Sequence, residues 1–329
     1  MSFFSVLFAL LIEQLKPLPR GNLVHDSLTA WMRWTGRNFD AGRDHHAWVV
    51  WTITALMPAL VAWGLHVALA HVNVLLALLF DVAVLYLTLG FRQFSHYFTD
   101  IREALERGDE VQARQMLTEW RHLDASELPR TELLRHVVEH SLLAAHRHVF
   151  GVFFWFVVLS SFGLGPAGAV LYRMAEYASR YWAFKSRTID APVNDRLMNL
   201  SQRLFSLLDH VPARLTAFGF AVVGNFEEAV TCWRRYSGLW RHANEGIILA
   251  AAAGAVGVQL GGGAAPGVTP DRSKTFDAGA APDAMLAEGS TPGLPPVLGH
   301  LSSVVGLVWR SVVLWMLLLA LLSLANLIG

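Results

Sequence analysis

The run Gly163-Leu164-Gly165-Pro166-Ala167-Gly168-Ala169-Val170-Leu171-Tyr172-Arg173 sets three glycines and a proline inside an apolar stretch. Glycine is too free to hold a helix and proline lacks the amide proton, so a helix must break here. At membrane depth such a break is tolerated only where protein buries it or where it lines a polar cavity. The chain therefore reads as building something inside a bilayer besides plain spanning helices, and the break marks where a site belongs.

Composition agrees with a membrane setting. Of 329 residues 54% are hydrophobic and 16% charged, against about 25% charged in soluble domains. Twelve tryptophans suit the headgroup region. The formal net charge of zero gives no footprint for nucleic acid, so none is expected as a partner. Cys232, the single cysteine, excludes an intrachain disulfide.

The expected architecture is an all-α polytopic membrane protein. Residues 1–92 read as a short buried N-terminal helix, Ser2 to Ile12 with Glu13 at its end, followed by a transmembrane hairpin. Its spans are Trp48 to Leu69 and Val72 to Phe91, with little more than Ala70 and His71 between them. Lys16, Arg20, Arg33, Arg37 and Arg43 before the hairpin, and Arg92, Arg102, Arg107 and Arg114 after it, make that side cytoplasmic. Residues 93–149 read as a cytoplasmic helical hairpin interrupted at Gly108-Asp109, its second helix starting near Pro129 and running on toward the membrane.

Residues 150–260 form the expected membrane core. Phe150 to Phe162 is too short to span before the glycine break, and a basic stretch from Arg173 to Arg203 follows. A re-entrant hairpin turning at Gly163–Pro166 keeps that charge on the cytoplasmic side. Asp195 to Val223 reads as amphipathic and broken at Val211-Pro212; Ile247 to Leu260, rich in small residues, suits close helix packing. Residues 261–298 read as a flexible linker and 299–329 as a final transmembrane helix, spanning from Ser311 to Leu327. This arrangement implies a multi-pass protein of the bacterial inner membrane.

Two motifs stand out for chemistry. Asp81 lies near the middle of an apolar span, where a carboxylate costs roughly 2.5–3.5 kcal/mol, so it needs a polar partner. It serves either a proton relay or ligand contact, or else helix packing as a neutral acid. His136-Val137-Val138-Glu139-His140 has the H-x-x-E-H spacing of one class of zinc peptidases, with nothing downstream that clearly supplies a third ligand. His45-His46 and His146-Arg147-His148 sit at expected membrane boundaries. No G-x-x-x-x-G-K-[ST] or G-x-S-x-G is present.

The segments Arg107-Gly108-Asp109-Glu110-Val111-Gln112-Ala113-Arg114, Val138-Glu139, Phe153-Phe154-Trp155 and Gly165-Pro166-Ala167-Gly168-Ala169 run in an order and spacing that resemble the CobD/CbiB family. Leu171-Tyr172-Arg173, Pro212-Ala213-Arg214-Leu215-Thr216-Ala217 and Gly254-Ala255-Val256-Gly257-Val258-Gln259-Leu260-Gly261-Gly262 continue the match. The resemblance implies an inner-membrane protein of cobalamin biosynthesis. Such proteins join an aminopropanol unit to adenosylcobyric acid by an ATP-dependent amide-forming step, so ATP and Mg are the cofactors and a corrinoid the partner if this chain is a synthase.

The sequence also departs from the family pattern. Leu143, Ala144 and Arg147 stand where the family carries a Glu-Asn pair and an aspartate. Glu176-Tyr177-Ala178-Ser179 replaces Asn-Thr-Leu-Asp, Phe205-Ser206 replaces Asp-Asp, Asp209 stands at the usual asparagine, and Gln259 replaces a basic residue. The surviving acids Glu139, Glu176 and Asp209 are the catalytic candidates. Asp81, Arg173, Arg214, Gly165, Gly168 and Asn244 are the substrate-binding candidates, the arginines as partners of phosphate or carboxylate, and no metal site is assigned.

That pattern of departures resembles the AmpE branch of the same superfamily. Met1-Ser2-Phe3-Phe4-Ser5-Val6-Leu7, Ile12-Glu13-Gln14-Leu15, Ser95-His96-Tyr97 and Ile189-Asp190-Ala191 carry that likeness. It implies a non-enzymatic inner-membrane sensor or accessory protein in β-lactamase regulation.

Overall fold

The computed structural model describes residues 2–15, 23–39, 44–89, 91–121, 125–186, 195–262 and 290–328. Among these the secondary structure is helical, with one isolated parallel bridge between Val258 and Leu294. The first half holds α1 (Ser2–Leu15), α2 (Leu23–Phe39), α3 (Asp44–Trp51), α4 (Met57–Val72), α5 (Val74–Thr88), α6 (Phe91–Glu106) and α7 (Glu110–Arg121). It continues through α8 (Arg130–Ala145), α9 (Gly151–Ser161), α10 (Ala167–Ser186), α11 (Asp195–Leu208) and α12 (His210–Val223). The last are α13 (Phe226–Tyr236), α14 (Ala243–Val256) and α15 (Leu298–Ile328). Two π-helical turns, Thr52–Leu56 and His146–Phe150, join α3 to α4 and α8 to α9 without a break.

Among the described residues, three helical runs are long and apolar enough to cross a membrane: His45–Val72, Arg130–Ser161 and Leu298–Ala325. Two expected segments differ in extent from the sequence reading. The expected span from Val72 to Phe91 is the 15-residue helix α5, short of the ~20 residues a crossing takes. The segment before the glycine break, too short by itself, is instead the end of the 32-residue run Arg130–Ser161. Its first turns carry Glu132, Arg135 and Glu139, and the helix expected to start near Pro129 runs on into this segment.

The chain forms two compact units: Met1–Gln93 with His146–Pro212 and Met316–Gly329, and Phe94–Ala145 with Ala213–Trp315. In the first, α1 packs on α5 through Ser5, Val6, Ala9 and Glu13, one buried face at helical spacing. Phe4, Phe8 and Leu11 on its other face remain exposed. The link from α4 to α5 is the single residue Asn73; Ala70 and His71 belong to α4. The Asn73 side chain accepts the Leu75 N–H (2.7 Å) and caps α5. Met32, Val50, Met174, Trp182 and Leu197 fill the core between α2, α3, α10 and α11.

The break at Gly163–Pro166 forms as the glycine content requires. Gly163 and Gly165 take φ of 76° and 54°, the left-handed region that a side chain disfavours. The turn folds α10 back along α9, and Gly168 allows the close approach, since a Cβ there would strike the Trp155 carbonyl. The expected break at Val211-Pro212 falls earlier, at Asp209. Pro212 sits inside the first turn of α12, where helix amides have no intrahelical acceptor to lose.

In the second unit, α13 and α14 pack as a hairpin with small residues at the contact. Ten residues of α14 are buried, and Gly254 and Gly246 meet the backbone carbonyls of Glu228 and Ser237. Most of the expected linker, residues 263–289, lies outside the described residues, as do Ile189-Asp190-Ala191, Lys16, Arg20 and Arg43.

Candidate functional site

The π-helical turn His146–Phe150 turns His146 inward within the first unit, where it is buried. Its Nε2–H donates to Asp209 Oδ1 at 2.7 Å, and the Tyr172 hydroxyl donates to the same oxygen at 2.7 Å. Gly151, one turn along, leaves room for the Tyr172 ring, which a Cβ would strike. Trp155 Nε1–H donates to the Leu208 carbonyl (3.0 Å), fixing the end of α11 that presents Asp209.

One turn beyond Tyr172, Glu176 is 1% exposed. Its Oε2 accepts from Arg173 Nη1 (3.1 Å, i,i+3) and Arg180 Nη2 (3.1 Å, i,i+4), so α10 itself supplies two cations to one buried carboxylate. Burial opposes charge on Glu176, but Arg180, Arg173 and then Arg147 outweigh it and hold the carboxyl below its ordinary value of 4.5. Arg147 acts on Asp209 in the same direction, after His146 and Tyr172.

Beside this network lies a cavity of about 560 Å³. Its walls include Trp31, Pro58, Leu87 and Met174, with Arg173, Tyr177, Ser27 and Thr88 as polar groups. Such a cavity suits a ligand with an apolar body and one anionic group placed at Arg173.

Asp81 and His66 make a second polar centre in this unit. His66 Nδ1 lies 2.7 Å from Asp81 Oδ1, and Asp81 is 6% exposed. Gly165 packs on the His66 ring so closely that a Cβ there would strike it, and Ser160 Oγ donates to the Gly165 carbonyl (3.1 Å). The acid, its partner and the glycine turn thus meet at one place. His66 was not legible as that partner, because a lone histidine in an apolar helix carries no local pattern.

Glu139, Arg214 and Asn244 belong to the second unit. Glu139 Oε1 accepts the Gly261 N–H (2.7 Å) while Arg135 Nη1 donates to the Gly261 carbonyl (3.1 Å), so the pair holds both backbone polar groups of one residue. Arg135 also pairs with Glu132 and lies 3.7 Å from Glu139. The neighbouring backbone is tied by Thr291 N–H to Leu260 O (2.9 Å) and Gln259 N–H to Leu294 O (2.8 Å). Arg214 is half-buried on α12, and Asn244 is buried in the first turn of α14.

The zinc motif does not assemble. His140 packs edge-on against Trp120 (centroids 4.5 Å), and His136 Nδ1 is 3.9 Å from Glu139. Among the described residues no group of three His, Cys, Asp or Glu side chains is placed to hold a metal ion. Two of the three candidate acids are already engaged, Glu176 by two guanidiniums and Asp209 Oδ1 by His146 and Tyr172. A hard cation requires open carboxylate oxygens.

The family model of the CobD/Cbib protein matches residues 6–284. The chain belongs to the CobD/CbiB family. A cobalamin biosynthesis protein CobD of Stutzerimonas stutzeri is 31% identical over 324 residues, 96% of each chain. One from Chromobacterium violaceum is 36% identical over 208 residues, 62% of this chain and 61% of that one. A third, from Leptospira interrogans, is 26% identical over 192 residues, 56% of this chain and 57% of the relative. No solved structure matches. The AmpE likeness gains no support, since these relatives of the CobD/CbiB family carry the CobD name.

Proposed function

We propose that this is a multi-pass inner-membrane protein of cobalamin biosynthesis that keeps the family's corrinoid-binding framework while its remaining acids hold the framework together. One observation carries this reading. Glu176 and Asp209 stand at positions where the sequence departs from the family pattern, and each is buried and held by side chains of the same unit, Glu176 by Arg173 and Arg180 and Asp209 by His146 and Tyr172. A reacting carboxylate or a phosphate–metal site needs oxygens free to meet substrate. Here the acids meet arginine, histidine and tyrosine of the same chain.

In this reading the Arg173 cavity takes the anionic arm of a corrinoid substrate, carboxylate or phosphate, and the remainder of the ligand stays outside its 560 Å³. The α9–α10 turn is a re-entrant hairpin steadied from the side by His66 and Asp81. Residues 93–149 are the cytoplasmic hairpin of this reading, its second helix continuing into the membrane as part of the run Arg130–Ser161, consistent with the positive-inside bias of the flanks. The domain divisions at 92, 149, 260 and 298 belong to the same proposal.

Disrupting the gene in its host, under conditions where growth needs endogenous cobalamin, tests the reading. A growth defect repaired by added cobalamin, and by the intact gene, is the expected result. Normal growth together with altered β-lactamase induction would replace it with the AmpE-like reading.

A further inference from the structure

A second cavity, of about 310 Å³, opens in the first unit where α11 packs on α3. It is lined by Ala47, Trp48, Arg196, Asn199, Leu200 and Arg203. Arg196, Asn199 and Arg203 are spaced by three and four residues, so they form one exposed stripe of α11, while Leu197 and Ser201 on the opposite face are buried. Among the described residues the lining holds two guanidiniums and an amide.

The position of this cavity is as informative as its charge. Ala47 and Trp48 lie in the first turn of the candidate span His45–Val72, which is where a spanning helix meets the headgroups. Trp48 is 52% exposed there, and indole rings favour that layer. Two guanidiniums on one rigid helix face offer several N–H donors to the oxygens of a phosphodiester. Basic recesses between membrane helices are suited to anionic headgroups. The Arg173 cavity differs, being walled mainly by apolar side chains.

We propose that the α3–α11 recess binds the phosphodiester headgroup of an anionic phospholipid, with Arg196, Asn199 and Arg203 on the phosphate and Trp48 along the glycerol and upper acyl chain. The proposal rests on the membrane reading above, but not on any role in cobalamin synthesis.

Native mass spectrometry of the full chain in a neutral maltoside detergent tests it, with phosphatidylglycerol or phosphatidylcholine of the same acyl chains added. The expected result is preferential retention of phosphatidylglycerol. Binding should be on the order of tenfold weaker in an Arg196→Gln/Arg203→Gln double variant. Both residues are exposed, so the helical circular dichroism should be unchanged. Equal retention of the two lipids, or unchanged retention by the double variant, would overturn the proposal. So would displacement of the lipid by an equal concentration of inorganic phosphate, which would make the recess a site for soluble anions. Recovery of the protein in the soluble fraction without detergent would instead show that the membrane reading had failed.

Discussion

The two units hold their helices together by opposite means. The first buries polar pairs: Glu176 between Arg173 and Arg180, Asp209 against His146 and Tyr172, and Asp81 against His66. The second relies mainly on alanine and glycine, with α14 pressed on the backbone of α13, and its buried Arg135 and Glu139 spend their polar atoms largely on the Gly261 backbone. Ionic contacts fix helix register through a few atoms, and losing one partner strands the others. Small-residue contacts spread the same constraint over many weak ones, which only added bulk disturbs. The family's backbone-shaping glycines are used in both units, and so are the departures, Arg147, Glu176 and Asp209 lying in the first and Leu143, Ala144 and Gln259 in the second.

This contrast can be broken most forcefully at Glu176. Glu176→Ala leaves Arg173 and Arg180 without their carboxylate and should cost about 3 kcal/mol, toward the lower end for a broken buried pair because Arg180 is half exposed. Thermal unfolding in detergent reads it, and an unchanged midpoint would refute an ionic core. The bulk test belongs to the second unit. Gly254→Val drives a side chain into the Glu228 carbonyl and should cost about 2 kcal/mol, whereas the same change at the open Gly299, where valine has the better helix propensity, should be neutral or stabilise by a few tenths.

Smaller effects sharpen the comparison. Asp209→Asn keeps the shape but removes the charge that His146 and Tyr172 meet, and a loss of about 1–2 kcal/mol is expected in the same assay. Glu139→Gln retains an oxygen for the Gly261 N–H and should cost about 1 kcal/mol or less. Acid titration supplies the smallest signal. The Glu176 carboxyl lies lower in the folded chain than its ordinary 4.5. Its contribution is therefore complete above that value and fades as pH falls below it toward the folded value. The acid-side loss of stability should shrink in Glu176→Gln, and an unchanged acid limb would argue against a depressed carboxyl.

Much of this framework was legible where local chemistry leaves few options. Gly163 to Pro166 had to end a helix, and the chain turns there between Ser161 and Ala167. Asp81 needed a partner, and it has one. The Gly254–Gly257 segment announced close packing. Legibility failed where tertiary register decides. The grip of Arg135 and Glu139 on Gly261 joins residues far apart in the chain, which no hydropathy reading shows. The meeting of Asp209 with Tyr172 and His146 likewise depends on how α10 meets the end of α11, not on any spacing along the chain.

The most direct test of the central claim is a titration of the purified chain, in nanodiscs, with adenosylcobyric acid, followed through the corrinoid's own absorption. The account predicts saturable binding to the intact chain and clearly weaker binding to Arg173→Gln, whose side chain lines the larger cavity. A folded, membrane-inserted protein that binds no corrinoid, or binds it equally well without Arg173, would contradict it.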